Sequence, residues 1–347
     1  MSTNITISEQ PHLVCVRCMT FNHEAYIKDA LNGFVIQQTK FPFVVAIIND
    51  ASTDKTKSVI NDFVKINCIY NPEIDLRTEE YGTILDVTVK DNPHCMFHIV
   101  HLNENHYGKK SKLPYFAKHE NAAKYVAMCE GDDYWTDPLK LQKQVDFLEA
   151  NPEYSMCCNA TRWLCSDGKY YDNPNFHGIV DTDITTHQVI ERGGLGINLA
   201  SIVYRNIDTL DRYRKSNWWS RADVGDYPLC IALSLIRKIR YMSDVMSVYR
   251  FQHPGSWTER NKNVNIKHLW NEITWMQILD EETERKYHIN IEKHLFSFWR
   301  TLYREDDQVT TSQYIQKYNE AGKLISIHRL IKDIIRRFVM QIKKLLS

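Results

Sequence analysis

The sequence predicts an α/β fold over residues 1–260, a parallel sheet flanked by helices, followed by a helical region over 261–347. Three observations carry this. In the first third, short β-rich runs alternate with segments of helical periodicity, the pattern of parallel strands joined by crossover helices. Acidic turns follow directly on two of the predicted strands, where ligands sit in open α/β sheets. Beyond about Asn261 nothing strand-like remains, and apolar residues recur at helical spacing between charged faces.

The elements follow in order. Residues 13–18 form the first strand, and Asn22 is placed to cap a helix on which Tyr26, Ile27, Ala30, Leu31 and Phe34 recur every three or four positions. The continuous apolar run 43–48 is the next strand. It ends in the polar turn Asn49-Asp50-Ala51-Ser52-Thr53-Asp54, ahead of a helix with Val59, Ile60, Phe63 and Val64 on one face. Over 71–93 the pattern is lost, which predicts an irregular insertion. Residues 97–100 return to strand, 113–123 to helix, and 125–129 to a strand that runs into Glu130-Gly131-Asp132-Asp133. Pro138, favoured at a first helical position, opens a helix to about 150. A strand around 155–164, the stretch Gly193-Gly194-Leu195-Gly196 and a strand at 200–204 follow.

With 347 residues, 43% of them hydrophobic, the chain is large enough for about two domains, each with a core. Forty-three Lys and Arg balance forty-three Asp and Glu, so no global field draws in a nucleic acid. The apolar runs are far shorter than a bilayer span, and residues 1–10 lack the charged-then-apolar pattern of a signal peptide. Nine cysteines at irregular spacing suit a reducing compartment, and the expected location is cytoplasmic. Cys15 and Cys18 lie three apart on a strand and so face opposite ways, which argues against a redox or zinc pair. His94, His98 and His101 meet the same difficulty. The Gly193–Gly196 stretch lacks the Lys-Ser/Thr of a phosphate loop.

Three carboxylates within four residues repel one another unless a cation is near, and carboxylates with phosphate oxygens are the ligands that Mg2+ or Mn2+ prefers. The alternative for Glu130 to Asp133 is a solvated acidic turn that caps a helix. Lys109 and Lys110 either meet phosphate by charge or stay solvated.

Five motifs, in the right order along the chain, resemble glycosyltransferase family 2 enzymes of the GT-A fold. Asn49-Asp50-Ala51-Ser52 resembles the family's Asp-x-Ser element, and Glu130-Gly131-Asp132-Asp133-Tyr134-Trp135 its D-x-D or E-x-D element. Met19-Thr20-Phe21-Asn22-His23-Glu24 is similar to its P-T-Y-N-x-E start, with Met19 in place of proline. Gly225-Asp226 and Tyr249-Arg250-Phe251-Gln252-His253 are similar to its G-D and Y-R-x-x-H elements. The resemblance spans roughly 12–258. It implies transfer of a sugar from a nucleotide sugar, UDP-linked for preference, to a hydroxyl of a glycan or lipid-linked acceptor in polysaccharide synthesis, with Mg2+ or Mn2+ bound. Asp132, Glu130 and His253 are then the metal residues. Thr20, Asn22, Glu24, Asp50, Ser52, Lys109, Glu130, Asp133 and Trp135 line the donor site. Asp226 is the base of an inverting displacement. A sugar nucleotidyltransferase and a non-catalytic sugar-nucleotide-binding scaffold are the alternatives.

From Ile327 onward apolar residues recur at three-and-four spacing, opposite a polar face of six basic residues and one acid. Such a helix either lies on an anionic membrane surface, here the inner face of the cell membrane, or packs on the protein or in a homodimer.

Overall fold

The computed structural model describes residues 12–256, 259 and 265–346. The boundary expected near 260, the N-terminal ten residues, and the side chains of Lys343, Lys344, Leu345 and Leu346 lie outside the described set.

In chain order, the first unit runs β1 (Val14–Thr20), α1 (Ile27–Val35), β2 (Phe43–Asn49), α2 (Thr56–Asn67), β3 (Cys68–Ile69), α3 (Pro72–Asp75), β4 (Leu76–Glu79), β5 (Gly82–Val89) and β6 (Asn92–Leu102). It continues with α4 (Leu113–Glu120), β7 (Tyr125–Met128), β8 (Tyr134–Trp135), α5 (Lys140–Ala150), β9 (Tyr154–Cys165), β10 (Tyr170–Asp172), β11 (Thr182–Ile184), β12 (Ile202–Arg205) and β13 (Lys238–Phe251). All of these strands join one sheet, with the path β11-β13-β9-β12-β7-β1-β2-β6-β5-β3. β1 is central, parallel to β2 on one side and to β7 on the other. Every residue of β2 is buried, which is why it reads as an uninterrupted apolar run.

The two faces of the sheet build separate cores. Cys18 packs with Ile27, Leu31 and Val64 on one face, and Cys15 with Val44, Ala46 and Phe116 on the other. The two thiols therefore point apart, as strand geometry requires. Gly33 lets α1 lie directly on β8: a Cβ there would sit 2.8 Å from the backbone nitrogen of Trp135.

The insertion expected to be irregular at 71–93 is instead ordered. β4 pairs antiparallel with β5, and β5 with β6. All four residues of β4 are exposed, so it has no apolar face by which a sequence pattern could be recognised. Asn22 does not cap α1, which starts at Ile27 without a side-chain cap; Asn22 instead takes a left-handed φ of 56° in the preceding turn. β13, fourteen residues long, has no clear counterpart in the sequence pattern. Three register shifts against β9 interrupt its alternation.

The second unit is helical: α6 (Thr186–Glu191), α7 (Asp208–Arg214), α8 (Asn217–Arg221), α9 (Asp226–Ile236), α10 (Ile266–Glu282), α11 (His288–Glu305), α12 (Thr311–Glu320) and α13 (Ile327–Leu346). Residues 185–196 and 209–235 belong to this unit, so the two units interleave in the chain and no single cut near 260 separates them. Its core includes Trp218 stacked on Trp275, and the Tyr227 hydroxyl donates to the Ile190 carbonyl. Gly193–Gly196 forms a 3-10 turn beside Tyr227 and His294. No helix among the described residues is long and apolar enough to cross a membrane.

Candidate active site

The carboxyl end of β1 organises the site. Because β2 and β7 flank β1, the turns that follow both strands are tied to its last residues: the Asp50 N–H donates to the Thr20 carbonyl and the Gly131 N–H to the Met19 carbonyl. A crevice at such a switch point is where open α/β sheets bind ligands.

The two turns on the β2 side are laced together. The Asn22 N–H donates to Ser52 Oγ, the Thr53 N–H to Asn22 Oδ1, the His23 N–H to Thr56 Oγ1, the Glu24 N–H to Asp54 Oδ2, and the Lys55 N–H to Glu24 Oε2. Asn22, Glu24 and Ser52 thus tie the turn after β1 to the turn after β2. Ala51, at a left-handed φ of 55°, carries the backbone strain of the turn after β2. Asp50 is almost fully buried. Its Oδ1 accepts the His106 N–H at 2.8 Å, and its Oδ2 faces Lys112 Nζ at 3.2 Å. The cation at Asp50 is therefore Lys112, while Lys109 is exposed and has only a backbone hydrogen bond described, to His106.

On the β7 side, Asp132 meets two histidines. His253 Nε2 lies 2.9 Å from Asp132 Oδ2, and His23 Nε2 lies 3.7 Å from the same oxygen. Burial works against the charge of Asp132, but the hydrogen bond from His253 and the nearness of both imidazoles outweigh it and hold the carboxyl below its ordinary value. Burial also pushes His23 down, toward the neutral imidazole that can ligate a metal.

Asp132 and His253 are paired and His23 lies beside them, but these three do not form a group of ligand atoms all within 4.8 Å of one another, and two buried polar atoms here, His23 Nδ1 and Thr20 Oγ1, have no hydrogen-bond partner. Glu130, half-buried, does not join Asp132 and His253 in a group of three ligand atoms within 4.8 Å. Two such groups exist among the described residues, Asp86 with His98 and His119, and Asp223 with His268 and Glu272.

Arg250 clamps this turn. Its backbone N–H donates to Asp133 Oδ1 at 2.9 Å, its guanidinium donates to the Asp132 carbonyl and pairs with Asp29 at 2.5 Å, and it lies over the rings of Tyr26 and Tyr134. Four of the expected donor-site residues, Thr20, Asp50, Asp133 and Trp135, are buried. Asp133 is 3% exposed and accepts from β13; burial first, then Asp132, raises its proton affinity well above the ordinary carboxylate. Trp135 is 2% exposed, edge-on to Phe34, and donates to the Ala200 carbonyl. Asp133 ends the acidic turn and is held inward by the Arg250 N–H, and Trp135 just after it is held by the pairing of β8 with β13. His23, Tyr26, Lys112 and Arg250 are not among the expected site residues, although His23 and Arg250 lie within two of the motifs. Their partners lie far away in the chain, and no spacing rule announces them.

In the second unit, Asp226 is the first residue of α9. Its Oδ1 accepts the Tyr227 N–H at 2.8 Å, and burial raises its proton affinity above the ordinary value. Nearby, Asp223, His268 and Glu272 cluster, with Glu272 Oε1 buried and unpartnered.

Comparisons with known proteins match this architecture. Residues 15–252 match the family model described as Glycosyl transferase family 2. The uncharacterized protein Rv1520 of Mycobacterium tuberculosis and its counterpart Mb1547 of Mycobacterium bovis are each 31% identical over 252 residues, covering 70% of this chain. The chain spans 61% of the length of these relatives. Among solved structures, S. aureus TarS 1–349 in complex with UDP-GlcNAc superposes with a TM-score of 0.54 at 15% identity, covering 96% of this chain and 92% of that one. The mannosyltransferase PcManGT from Pyrobaculum calidifontis, in complex with GDP-Man and Mn2+, does so with a TM-score of 0.50 at 13% identity, covering 96% and 87%. At these identities the likeness is one of fold.

Proposed function

Because this chain belongs to glycosyl transferase family 2, we propose that it moves a sugar from a nucleoside diphosphate sugar to a hydroxyl of a glycan or lipid-linked acceptor in polysaccharide biosynthesis. The observation that carries this is the convergence of Asp132, His253 and His23 beside the β1 switch point, from three separate chain segments. Asp132 and His253, with His23 beside them, would hold a divalent cation, which when bound would supply Lewis-acid stabilisation of a leaving diphosphate. The mixed nitrogen and oxygen donors favour Mn2+ over Mg2+, which prefers oxygen alone. The fold neighbours support the donor class: one is in complex with UDP-GlcNAc, the other with GDP-Man and Mn2+. A UDP-sugar is the first donor to test.

The chain's own residues do the rest. The Asn22–Ser52 and Glu24–Lys55 hydrogen bonds tie together the two turns that would receive the nucleotide. Asp50 is placed to accept from the base once Lys112 yields. Arg250 fixes the Asp132 turn against β13. Asp226 is the general base of a single inverting displacement: its raised proton affinity suits a group that takes a proton from the acceptor hydroxyl.

Release of free nucleotide from UDP-, GDP-, dTDP- and CMP-sugars, with Mn2+, with Mg2+ and with EDTA, tests the reading. Metal-dependent turnover of one donor is expected, with Asp226→Asn losing turnover but keeping donor affinity, and Asp132→Asn losing both turnover and metal dependence. If no donor turns over and none raises thermal stability with metal present, the chain is a scaffold.

A further inference from the structure

α13 packs the wrong way round for a helix whose purpose is to close a domain. Its inward ridge is mostly polar. Asp333, 4% exposed, accepts from Arg300 Nε at 2.6 Å, from the Arg304 guanidinium and from the Tyr314 hydroxyl at 3.1 Å. Arg337, 7% exposed, donates to the Tyr303 and Asp307 carbonyls and lies over the Tyr303 ring. Leu330 is the buried apolar residue of this ridge. The apolar stripe faces outward: Ile327, Ile331, Ile335, Phe338, Val339 and Ile342 are each between 40% and 63% exposed. At 100° per residue these six fall within a sector of about 120°, and the ridge of Leu330, Asp333 and Arg337 lies roughly opposite. Between the two sectors, at about 140° to 200°, stand Arg329, Lys332 and Arg336, all exposed.

An amphipathic helix normally buries its apolar face and leaves its charges in water. Here buried ion pairs seat the helix, and the apolar face is kept for something outside the unit. The charge on that surface identifies it. The one acid of the helix, Asp333, is buried and paired, so the exposed part is cationic along one flank of the stripe. The same face of a second copy would bring those three cations no anionic partner from its own helix. An anionic lipid surface supplies both requirements, acyl chains under the stripe and head-group charge beside the basic flank. We propose that α13 is an interfacial helix that docks the protein on anionic membranes. The proposal does not rest on the transferase reading, and its test reads binding alone.

The test is flotation of the purified full chain with vesicles of phosphatidylcholine alone and of phosphatidylcholine with about one third phosphatidylglycerol, at low and high salt. Binding to the anionic vesicles only, weakened by salt, is expected. Loss of one cation lowers partitioning about fivefold, so Arg329→Gln, Lys332→Gln and Arg336→Gln together should lower it about a hundredfold. Ile331→Ser with Phe338→Ser should lower it at least tenfold while leaving the chain folded by circular dichroism. Hydrogen exchange of residues 327–342 in the wild-type chain should slow when anionic vesicles are added, a readout that needs no variant. Equal binding to neutral vesicles, no binding to either, or a dimer that the Ile331 and Phe338 substitutions dissolve without any vesicle binding, would each overturn the proposal.

Discussion

Arg250 offers the sharpest test of how the acidic turn is held. Arg250→Met keeps the apolar stem and removes the guanidinium, which is 8% exposed. Four contacts are lost. The charged hydrogen bond to the Asp132 carbonyl is the largest, about 1.5–3 kcal/mol, since the carbonyl is left without its buried partner. The contacts over Tyr26 at 5.0 Å and Tyr134 at 4.7 Å contribute about 0.5–1 kcal/mol each. The Asp29 pair contributes about 0–1 kcal/mol, because Asp29 is half exposed and is resolvated when released. These are not additive, and the expected loss is about 3 kcal/mol. The backbone bond from residue 250 to Asp133 survives the substitution, so β13 should stay paired. With two compact units in the chain, one melting curve would mix two transitions. Peptide-resolved hydrogen exchange in urea reads the first unit separately, and residues 130–135 should open first. Protection within about 0.5 kcal/mol of wild type there would refute the view that Arg250 holds the turn.

Two further outcomes follow from the same geometry. Gly131→Ala places a Cβ 2.7 Å from Thr20 Cβ and 3.0 Å from Ile27 Cδ1, so the turn must move; about 1–3 kcal/mol of stability and most Mn2+-dependent thermal stabilisation should be lost, as differential scanning fluorimetry would show. Stability should also fall in mild acid. Burial holds His101 down to about 4 and His119 down to about 3, against 6.5 when unfolded. Because the unfolded chain binds these protons first, stability rises with pH between those values and 6.5. It falls as pH drops below 6.5, by about 1.4 kcal/mol per pH unit for each histidine at the steepest. Urea midpoints at pH 7, 6 and 5 should decline, and His101→Gln with His119→Gln should flatten the slope; an unchanged slope would count against buried neutral imidazoles.

Much of the fold was legible because local physics decides it. β1, β2 and β7 are apolar runs bounded by polar turns, and α1 and α2 carry apolar stripes at helical spacing, so a reading by periodicity finds them. The acidic turn at 130–133 was legible too, since adjacent carboxylates are unfavourable without a partner. The strand β4 was hidden by its exposure and β13 by its bulges, because both erase the alternation on which such a reading depends.

The amphipathic pattern of 327–346, the β1, β2 and β7 strands and the order of the motifs are properties of neighbouring residues, and the sequence by itself determined them. What surrounds Asp132 was decided only by tertiary structure. His23 and His253 reach it across separations of about a hundred residues, and Asp133 and Trp135, two of the expected donor-site residues, are drawn inward by β13. The orientation of α13 is the same kind of fact. Periodicity shows that a helix has two faces, but Arg300, Arg304 and Tyr314 determine which of them is buried, by offering Asp333 more than water does.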